Sequence, residues 1–331
     1  MTNRFILFSL LILFFSCKKN TSLIKCTGYT QGTTYHISYL SETRQNYQIE
    51  FDSILLKIDS SLSTYVNYST ISKINENKIT YTKDSLFRKI FQLSDSIFKE
   101  TNGYFDPTIE PLIKLYNFDK NDSLVVDSIV VKETLKKIGF DKVKMLDSLI
   151  IKENPKIQLN FNAIAQGYSI DIIASFLEKQ KINNYLIEIG GEVLAKGRKL
   201  NNKKWLVGIS KPSDKDDNSI YTALELENLA LATSGSYRNY KIDKNSGIKY
   251  SHTINPHTGF PSNHNLISVS VITKKCAKSD AYATALIVMD SYLAKDFLEK
   301  NSNIDAMLIY VNKNNEWEVF QTKGFEEIII N

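Results

Sequence analysis

Two oxygen-bearing side chains stand four residues apart in the segment Ser279-Asp280-Ala281-Tyr282-Ala283-Thr284. We expect this segment to be helical, so that Asp280 and Thr284 share one face. A carboxylate and a hydroxyl are hard ligands of the kind that Mg²⁺ takes, with waters and substrate phosphates completing its shell. The spacing therefore predicts a magnesium site. A helix that begins with an Asp and packs a Thr behind it is the alternative interpretation of the same residues.

Three further polar or aromatic residues stand at turns and helix ends. Gln31 precedes Gly32, and a glycine lets the backbone approach a ligand closely. Tyr65 follows a predicted helix end and offers a flat ring for stacking, although a structural tyrosine fits equally well. Asp106 precedes Pro107, which favours an extended conformation and a carboxylate that projects from a rigid turn. A turn without a ligand is the simpler interpretation of Asp106.

The segment from Asn160 to Tyr168 joins a strand-like stretch to a predicted helix start. Free N–H groups and the helix dipole favour phosphate at such a point, and Gly167 lets a neighbour lie close to the first helical turn. Capping of the helix by Asn162 explains the same residues. His252 and His257, half of the chain's four histidines, lie in one loop, where they fit either a phosphate contact or a hydrogen-bonded turn.

Apolar periodicity indicates the elements that would position these residues. It predicts helices over residues 49–62, 84–101, 162–180 and 277–289. It predicts strands over residues 33–39, 185–189, 192–195, 205–209, 222–226, 266–273, 306–311 and 317–321, the last two as a closing hairpin. Helices and strands interleave without strict alternation, and no repeat or linker divides the chain. We therefore expect one α+β domain with mixed or antiparallel strands and packed helices.

The N-terminus carries the pattern of an export signal. Arg4 precedes an apolar run from Phe5 to Phe15, which is shorter than the roughly 20 residues that span a bilayer. Ser16 and Cys17 follow, so we expect a lipoprotein signal peptide over residues 1–16 and acylation of Cys17; an ordinary signal peptide or a membrane anchor is the alternative. The mature protein would be lipid-anchored to a bacterial cell membrane and face the periplasm or the exterior. A polar tether over residues 17–25 and a folded domain over residues 26–331 would follow.

Charge and cysteine content narrow the choice of partner. The formal net charge is +5, and lysines and acids are interleaved, so no basic block indicates a nucleic-acid groove. Besides Cys17, the chain has Cys26 and Cys276, which fit either a disulfide in an oxidising compartment or two buried small apolar residues. No CxxC motif or His/Cys cluster is present, so zinc is not expected.

Taken together and in this order, these segments resemble the ApbE family, the FAD:protein FMN transferases, over residues 30–289. The pieces that carry the resemblance are Leu62-Ser63-Thr64-Tyr65, Gly103-Tyr104-Phe105-Asp106-Pro107-Thr108, Ala165-Gln166-Gly167-Tyr168 through Asp171, Gly190-Gly191-Glu192, Thr233-Ser234-Gly235-Ser236-Tyr237-Arg238, the loop from His252 to Pro261, and Asp280 to Thr284.

The resemblance implies a T-fold-like α+β domain, FAD as the donor substrate and Mg²⁺ at the pyrophosphate. By position, it implies FAD contacts at Gln31, Tyr65, Tyr104, Phe105, Asp106, Asn160, Gln166 and the backbone of Thr253 and Ile254. It implies metal contacts at Asp280, Thr284 and the Ala163 carbonyl. Four positions depart from the family's usual residues: Gln31 replaces Met, Asn160 and Asn255 replace Asp, and Gln166 replaces Lys or Glu. The predicted pocket is less acidic as a result.

The implied reaction is attack of an acceptor Thr or Ser hydroxyl on the FMN phosphorus of FAD, with release of AMP and with a metal clamp on the pyrophosphate. The acceptors are expected to be membrane-associated redox proteins. Asp106 is expected to anchor the flavin or ribityl hydroxyls, and His252 is the candidate general base. Tyr65, Tyr104 and Phe105 are expected to cover the flavin. An FAD pyrophosphatase and a non-catalytic exported flavin-binding protein are the alternatives.

Overall fold

An antiparallel sheet with helices packed against it forms the frame of the protein. The computed structural model describes residues 21–118, 127–212, 219–236, 240–242 and 249–330, with the backbone alone for 240–242 and 249–250. In chain order the strands are β1 (Ser22–Thr30), β2 (Thr33–Ser41), β3 (Val143–Leu146), β4 (Leu149–Lys152), β5 (Tyr185–Ile189), β6 (Glu192–Lys196), β7 (Trp205–Ser210), β8 (Ile220–Leu226), β9 (Leu229–Gly235), β10 (Tyr240–Ile242), β11 (Lys249–Ser251), β12 (Leu266–Thr273), β13 (Asp305–Val311) and β14 (Trp317–Gln321).

The helices vary widely in length. In chain order they are α1 (Gln48–Leu62), α2 (Thr70–Asn75), α3 (Ser85–Glu100), α4 (Glu110–Tyr116), α5 (Ser128–Leu135), α6 (Asn162–Lys179), α7 (Cys276–Val288), α8 (Ser291–Lys300) and α9 (Lys323–Glu326). Among these helices, which cover only the described residues, none combines the length and the apolarity that crossing a bilayer requires.

Eight strands form one sheet in the order β1-β2-β5-β6-β9-β12-β13-β14, and every neighbouring pair is antiparallel. The chain leaves the sheet after β2 and returns at β5, so helices α1 to α6 are inserted between two neighbouring strands. Strands β3–β4, β7–β8 and β10–β11 form separate two-stranded hairpins. The prediction of one α+β domain built on antiparallel strands is confirmed.

The central strands are buried on both faces, and alternate residues divide between the two. On one face, Leu194 of β6 packs with Ile173 of α6 and Cys276 of α7. On the other face, Val193 packs with Trp205 of the β7–β8 hairpin. Strand β6 therefore turns its even-numbered residues toward α6 and α7.

Every helix and strand predicted from periodicity is present, with bounds within two residues of those expected. Strand β1 was missed, because only Cys26 and Thr30 are buried along it and its alternation is weak. The tether predicted over residues 17–25 is wrong from Ser22 onward, because Ser22 already pairs with Ser41 of β2. Strands β3, β4, β9, β10 and β11 and the short helices α2, α4, α5, α8 and α9 were also missed.

The two cysteines within the described residues are both free and buried, one in β1 and one at the start of α7. The interpretation of Cys26 and Cys276 as small apolar residues is therefore confirmed over a disulfide. The predicted signal peptide, the acylated Cys17, and the Tyr237-Arg238 end of one motif lie outside the described residues.

Candidate functional site

A cavity of about 470 Å³, here called the main pocket, opens where the N-terminal halves of α6 and α7 meet the end of β9 and two loops. One loop precedes α4 and the other follows β11. The structure brings eleven of the predicted site residues to this pocket, namely Tyr104, Phe105, Asp106, Asn160, Ala163, Gln166, His252, Thr253, Ile254, Asp280 and Thr284. They come from four separate parts of the chain. Their roles toward FAD and Mg²⁺ stay predictions.

Helices α6 and α7 approach each other closely at Gly167. A β-carbon on Gly167 would lie 2.4 Å from the carbonyl oxygen of Cys276. The Gly167 N–H donates to Asp280 Oδ2 at 3.0 Å. In return, Asp171 of α6 accepts from the N–H groups of Cys276 and Ala277, both at 3.1 Å, and so caps the N-terminus of α7. The neighbour that Gly167 admits to the first turns of α6 is therefore the backbone of α7.

Three oxygen donors line the main pocket from these two helices: the Asp280 carboxylate, the Thr284 hydroxyl and the Ala163 carbonyl. In a regular helix the Ala163 carbonyl accepts from the N–H of Gly167. A carbonyl oxygen has two lone pairs, so the Ala163 carbonyl keeps capacity for another partner besides this helical bond. Carboxylate, hydroxyl and carbonyl oxygens are the donors that Mg²⁺ takes. These residues therefore fit a magnesium ion.

The Asp280 carboxylate is buried, and this burial raises its pKa to about 7, against the lowering effect of the Gly167 N–H. A buried carboxylate of this kind is stabilised in its charged form by a nearby cation. Within the described ranges no three His, Cys, Asp or Glu side chains cluster as a metal site. A cation held here would thus rely on few charged ligands and on neutral oxygens.

Asn160 organises the N-terminus of α6. Its Oδ1 accepts from the N–H of Asn162 at 2.7 Å, and its Nδ2 donates to Glu110 Oε2 at 2.6 Å. The Asn160 side chain therefore bonds the first N–H of α6, and the alternative of capping by Asn162 is wrong, because Asn162 is itself the first residue of the helix. An Asn suits this position because it accepts from the backbone and donates to a carboxylate at once. Both functional ends of the Asn160 side chain are already engaged within the protein.

Asp106 is held rigidly in the turn before α4. Its Oδ1 accepts from the Thr108 N–H at 2.7 Å and from the Thr108 hydroxyl at 2.6 Å. That hydroxyl in turn accepts from the Gly139 N–H at 2.8 Å. Burial raises the pKa of Asp106 to about 6, although the bonds from Thr108 lower it. The carboxylate projects into the pocket from a turn that the rest of the fold locks in place.

Tyr104 and Phe105, the aromatic pair after α3, differ in burial. Tyr104 is half-buried and its ring stands edge-on to His257, with ring centroids 4.6 Å apart. Phe105 is 2% exposed and packs in the main core, so its ring presents almost no face to a ligand. Both residues line the main pocket, and the expectation that their rings cover a flavin stays a prediction.

The loop between β11 and β12 is held by hydrogen bonds between its own residues. Ile254 and Pro261 form an isolated β-bridge, and the Ser262 N–H donates to the Thr253 carbonyl at 2.7 Å. The Asn255 Oδ1 accepts from the His257 N–H at 2.9 Å. An Asp at position 255 would accept the same bond, so the Asn in this chain preserves the turn.

Two predicted residues line only a neighbouring cavity of about 620 Å³, here called the side pocket. Gln31 and Tyr65 line it, whereas Asn162 and Gln166 line both cavities. Gln31 has a positive φ of 50° and its Nε2 donates to Ser169 Oγ at 2.7 Å. The first turn of α6 thus divides the predicted site into two adjoining cavities. Tyr65 and Tyr104 do not share one wall.

Some pocket residues carried no signal in the sequence. Ile109, Ile113, Ile287 and Val288 form an apolar wall of the main pocket. Isolated aliphatic residues of this kind look like ordinary core residues until the fold opens a cavity beside them. Thr233, Ser234 and Gly235 also line the pocket; they were noted as a motif but were assigned no role.

Oxygen donors beside a helix N-terminus are groups that suit a phosphate-bearing ligand and a divalent cation. The model of the ApbE family matches residues 31–308. The chain belongs to the ApbE family.

Individual relatives are similar in sequence to this chain over nearly its whole length. The FAD:protein FMN transferase of Haemophilus influenzae is 29% identical over 327 residues, which cover 95% of this chain and 93% of that protein. The enzyme of the same name from Buchnera aphidicola subsp. Schizaphis graminum is 32% identical over 339 residues, covering 99% and 98%.

Solved structures are similar in fold to this chain over nearly its whole length. The flavin transferase ApbE from Vibrio cholerae superposes with a TM-score of 0.82 at 28% identity, covering 93% of this chain and 99% of that one. The flavinyl transferase ApbE of Pseudomonas stutzeri, in its apo form, also gives a TM-score of 0.82 at 28% identity, covering 93% and 97%.

Proposed function

We propose that this protein is an Mg²⁺-dependent FAD:protein FMN transferase, which moves FMN from FAD to a Thr or Ser hydroxyl of an acceptor protein and releases AMP. The observation that carries the proposal is the meeting of Asp280, Thr284 and Ala163 with the N-terminus of α6 in one pocket. A helix N-terminus favours phosphate, and the oxygen donors beside it suit a cation. The relatives that carry this activity in their names match the chain over nearly its full length, which supports the same conclusion.

In this arrangement, different groups of the protein would bind the metal and the phosphates. Asp280, Thr284 and the Ala163 carbonyl would hold Mg²⁺, and the bound ion would supply charge neutralisation at the pyrophosphate. In the first turn of α6 the N–H groups of Asn162, Ile164 and Ala165 already have partners in the protein, so the positive end of the helix dipole would attract a phosphate oxygen there. Asp106, fixed by Thr108, would anchor hydroxyls of the flavin ribityl chain.

The reaction exchanges one P–O bond for another. The acceptor hydroxyl oxygen forms a bond to the FMN phosphorus, the bond from that phosphorus to the bridging oxygen breaks, and AMP leaves with the bridging oxygen. The hydroxyl proton must be taken up as the new bond forms. His252 lines the main pocket and is the candidate to accept that proton.

FAD hydrolysis is the second candidate, and one observation favours it. With Phe105 buried, the remaining aromatic cover is Tyr104 in the main pocket and Tyr65, 80% exposed, in the side pocket. Two rings in separate cavities exclude less water than three rings over one flavin would. A non-catalytic flavin-binding protein has less support, because Asn160 and Asn255 have hydrogen-bonding roles in the fold.

One incubation tests these choices. The protein is mixed with FAD and Mg²⁺, with and without a Thr-bearing acceptor protein, and AMP release and the acceptor's mass are measured. A transferase gives a mass increase of one FMN on the acceptor together with one AMP. Equal AMP release with and without acceptor and no mass shift would establish the pyrophosphatase. If no AMP is released with or without acceptor, the protein is a non-catalytic flavin-binding protein.

We infer that the protein is exported and held at a bacterial membrane through acylated Cys17. Residues 18–21 separate Cys17 from Ser22, where β1 begins. The nine residues of β1 then run about 30 Å to the turn that carries Gln31. An anchor at Cys17 would therefore hold the Ser22 end of β1 near the membrane. The Gln31 end, and the predicted site beside it, would lie farther from the membrane.

Detergent-phase partitioning tests the anchor. Cys17→Ala should move the protein from the detergent phase to the aqueous phase and remove the acyl mass from its N-terminus. Equal partitioning of wild type and variant would refute the anchor.

A further inference from the structure

Basic residues gather at the end of the sheet that carries Ser22. Two segments begin there, residues 179–184 at the last residue of α6 and residues 196–204 at the last residue of β6. Together they contain no acid and the following basic residues, here called the basic edge: Lys179, Lys181, Lys196, Arg198, Lys199, Lys203 and Lys204.

Hydrogen bonds hold the two segments beside each other and beside the start of the sheet. The Arg198 N–H donates to Asn184 Oδ1 at 2.8 Å, and the Leu40 N–H donates to the Asn184 carbonyl at 2.9 Å. Leu40 precedes Ser41, which pairs with Ser22. Strand β6 is three strands from β1, and neighbouring strands are about 4.8 Å apart, so the basic edge begins about 15 Å to the side of Ser22.

Part of the basic edge carries positive charge that no acid balances. Three ion pairs neutralise the rest of it: Lys196 with Glu178 at 2.7 Å, Arg198 with Glu227 at 2.8 Å, and Lys204 with Glu225 at 3.8 Å. Among the described residues, no carboxylate forms an ion pair with the other four lysines, which are Lys179, Lys181, Lys199 and Lys203. The adjacent loop after β2 adds Glu42 and Arg44, whose charges cancel. Four positive charges therefore remain at this end of the sheet.

An exposed leucine lies among these lysines. The Lys199 N–H donates to the Lys203 carbonyl at 2.8 Å and closes a turn that contains Leu200, whose side chain is 58% exposed. Leu23, which follows Ser22 on β1, is 42% exposed. Lysines around an apolar side chain suit the surface of a membrane, because the ammonium groups contact lipid phosphates while the apolar group enters the headgroup region.

The proposed anchor lies close to this surface along the chain. Cys17 is five residues before Ser22, and five residues span at most about 18 Å. An acylated Cys17 would therefore keep the basic edge near lipid phosphates and raise their effective concentration around it.

We propose that the basic edge docks on the anionic phospholipid headgroups of the membrane that holds the anchor, an inference that rests on the proposed acylation of Cys17. Each lysine near an anionic membrane favours docking by a factor of about five, so four lysines favour it by on the order of a few hundredfold. Gly190, in the turn at the other end of β5 and β6, lines the main pocket. The docked protein therefore turns this pocket away from the membrane, toward acceptors on the aqueous side.

Acetylation of lysines by a membrane-impermeant reagent tests the proposal. The acylated protein is inserted into preformed vesicles of phosphatidylcholine, with or without phosphatidylglycerol, and the rate at each lysine is read by peptide mass spectrometry. We expect the four unbalanced lysines of the basic edge to react at least tenfold more slowly on the anionic vesicles. In about 1 M NaCl this difference should disappear, because salt screens the attraction. Lys132, exposed on α5 beside the loop after β11, should react equally on both vesicles.

Charge reversal supplies a matched pair of variants. Lys199→Glu combined with Lys203→Glu should return the acetylation rates of Lys179 and Lys181 to those on neutral vesicles. Lys132→Glu combined with Lys137→Glu changes the net charge equally on α5 and the residues after it, and should leave the protection of the basic edge as in wild type. Circular dichroism of each variant checks that it is folded.

Equal acetylation rates of wild type on the two kinds of vesicle would overturn the inference. Equal protection by soluble glycerol phosphate would also overturn it, because the surface would then bind phosphate and not a membrane. Flotation with the neutral vesicles tests the anchor separately. If the protein does not float with them, the anchor is wrong, and salt-sensitive flotation with the anionic vesicles would still support the basic edge, whereas no flotation would refute it as well. AMP release in solution stays an independent measure of the transferase.

Discussion

The contact between α6 and α7 at Gly167 holds the oxygen donors of the proposed cation site in place, and Gly167→Ala perturbs it with a single methyl group. In an isolated helix this change stabilises by about 1 kcal/mol, because alanine is the better helix former. Here the new carbon would lie 2.4 Å from the Cys276 oxygen and 2.8 Å from the Ala277 nitrogen, both of them backbone atoms. Neither atom can rotate away, so α7 itself must move.

The expected loss has two parts. Overpacking of a tight contact costs about 1–3 kcal/mol. Displacement of α7 also weakens the bond from the Gly167 N–H to Asp280, and a hydrogen bond to a charged group contributes about 1.5–3 kcal/mol. After the helix-propensity gain is subtracted, Gly167→Ala should lower the free energy of unfolding by about 1.5–5 kcal/mol. Because Asp280 moves with α7, Mn²⁺ affinity should fall as well.

Urea denaturation followed by circular dichroism measures the first quantity, and Mn²⁺ titration of the folded variant measures the second. Ser175→Ala is the control, because Ser175 lies on the exposed face of the same helix. Its free energy of unfolding should stay within about 0.5 kcal/mol of wild type. If Gly167→Ala were as stable as Ser175→Ala, the close helix contact would not constrain the site and the reasoning would be refuted.

Three further predictions follow from single residues. Asp280→Ala should abolish Mg²⁺-dependent AMP release, and Thr284→Val should weaken it less, since a neutral hydroxyl contributes less than a carboxylate to holding a divalent cation; initial rates at limiting Mg²⁺ would show whether the order is reversed. Tyr65→Asn should raise the ratio of free FMN to labelled acceptor, because it removes an aromatic wall of the side pocket, and an unchanged ratio counts against a role in excluding water. Burial raises the pKa of Asp171 from 3.8 to about 6, so the folded state binds its proton more tightly than the unfolded state does, and this group's contribution to stability falls as pH rises from about 4 to 6. The difference in unfolding free energy between wild type and Asp171→Asn should therefore change by up to about 3 kcal/mol across that window, and a flat difference would contradict the assigned pKa.

Most helices and strands could be predicted because burial on one face imposes a period on the chain. Strand β12 has apolar residues along nearly its whole length and was found with its exact bounds. Strand β1 was not predicted because it lies at the edge of the sheet, where only Cys26 and Thr30 of the strand are buried. An edge strand is held by backbone bonds to its neighbour, and backbone bonds leave no mark on the sequence.

The predicted site residues could be found where their chemistry was local. Asp280 and Thr284 stand one helical turn apart, so their shared face follows from the helix alone. The burial of Phe105 could not be predicted, because an aromatic residue beside a turn looks the same whether its ring faces a ligand or the core. Gln31 and Tyr65 were expected in one site with the rest, yet the first turn of α6 separates them from the main pocket.

The sequence by itself determined which chemical groups are available and where regular structure places them along the chain. It supplied the helix that carries Asp280 and the order of motifs shared with the family. Only the tertiary structure decided the partner of each group: Asn160 bonds the first N–H of α6, Gly167 admits the backbone of α7, and Asp280 accepts from the Gly167 N–H. The physical reason is that burial and pairing depend on segments far apart in the chain, and the free energy of a buried polar group depends on which of those segments comes to lie beside it.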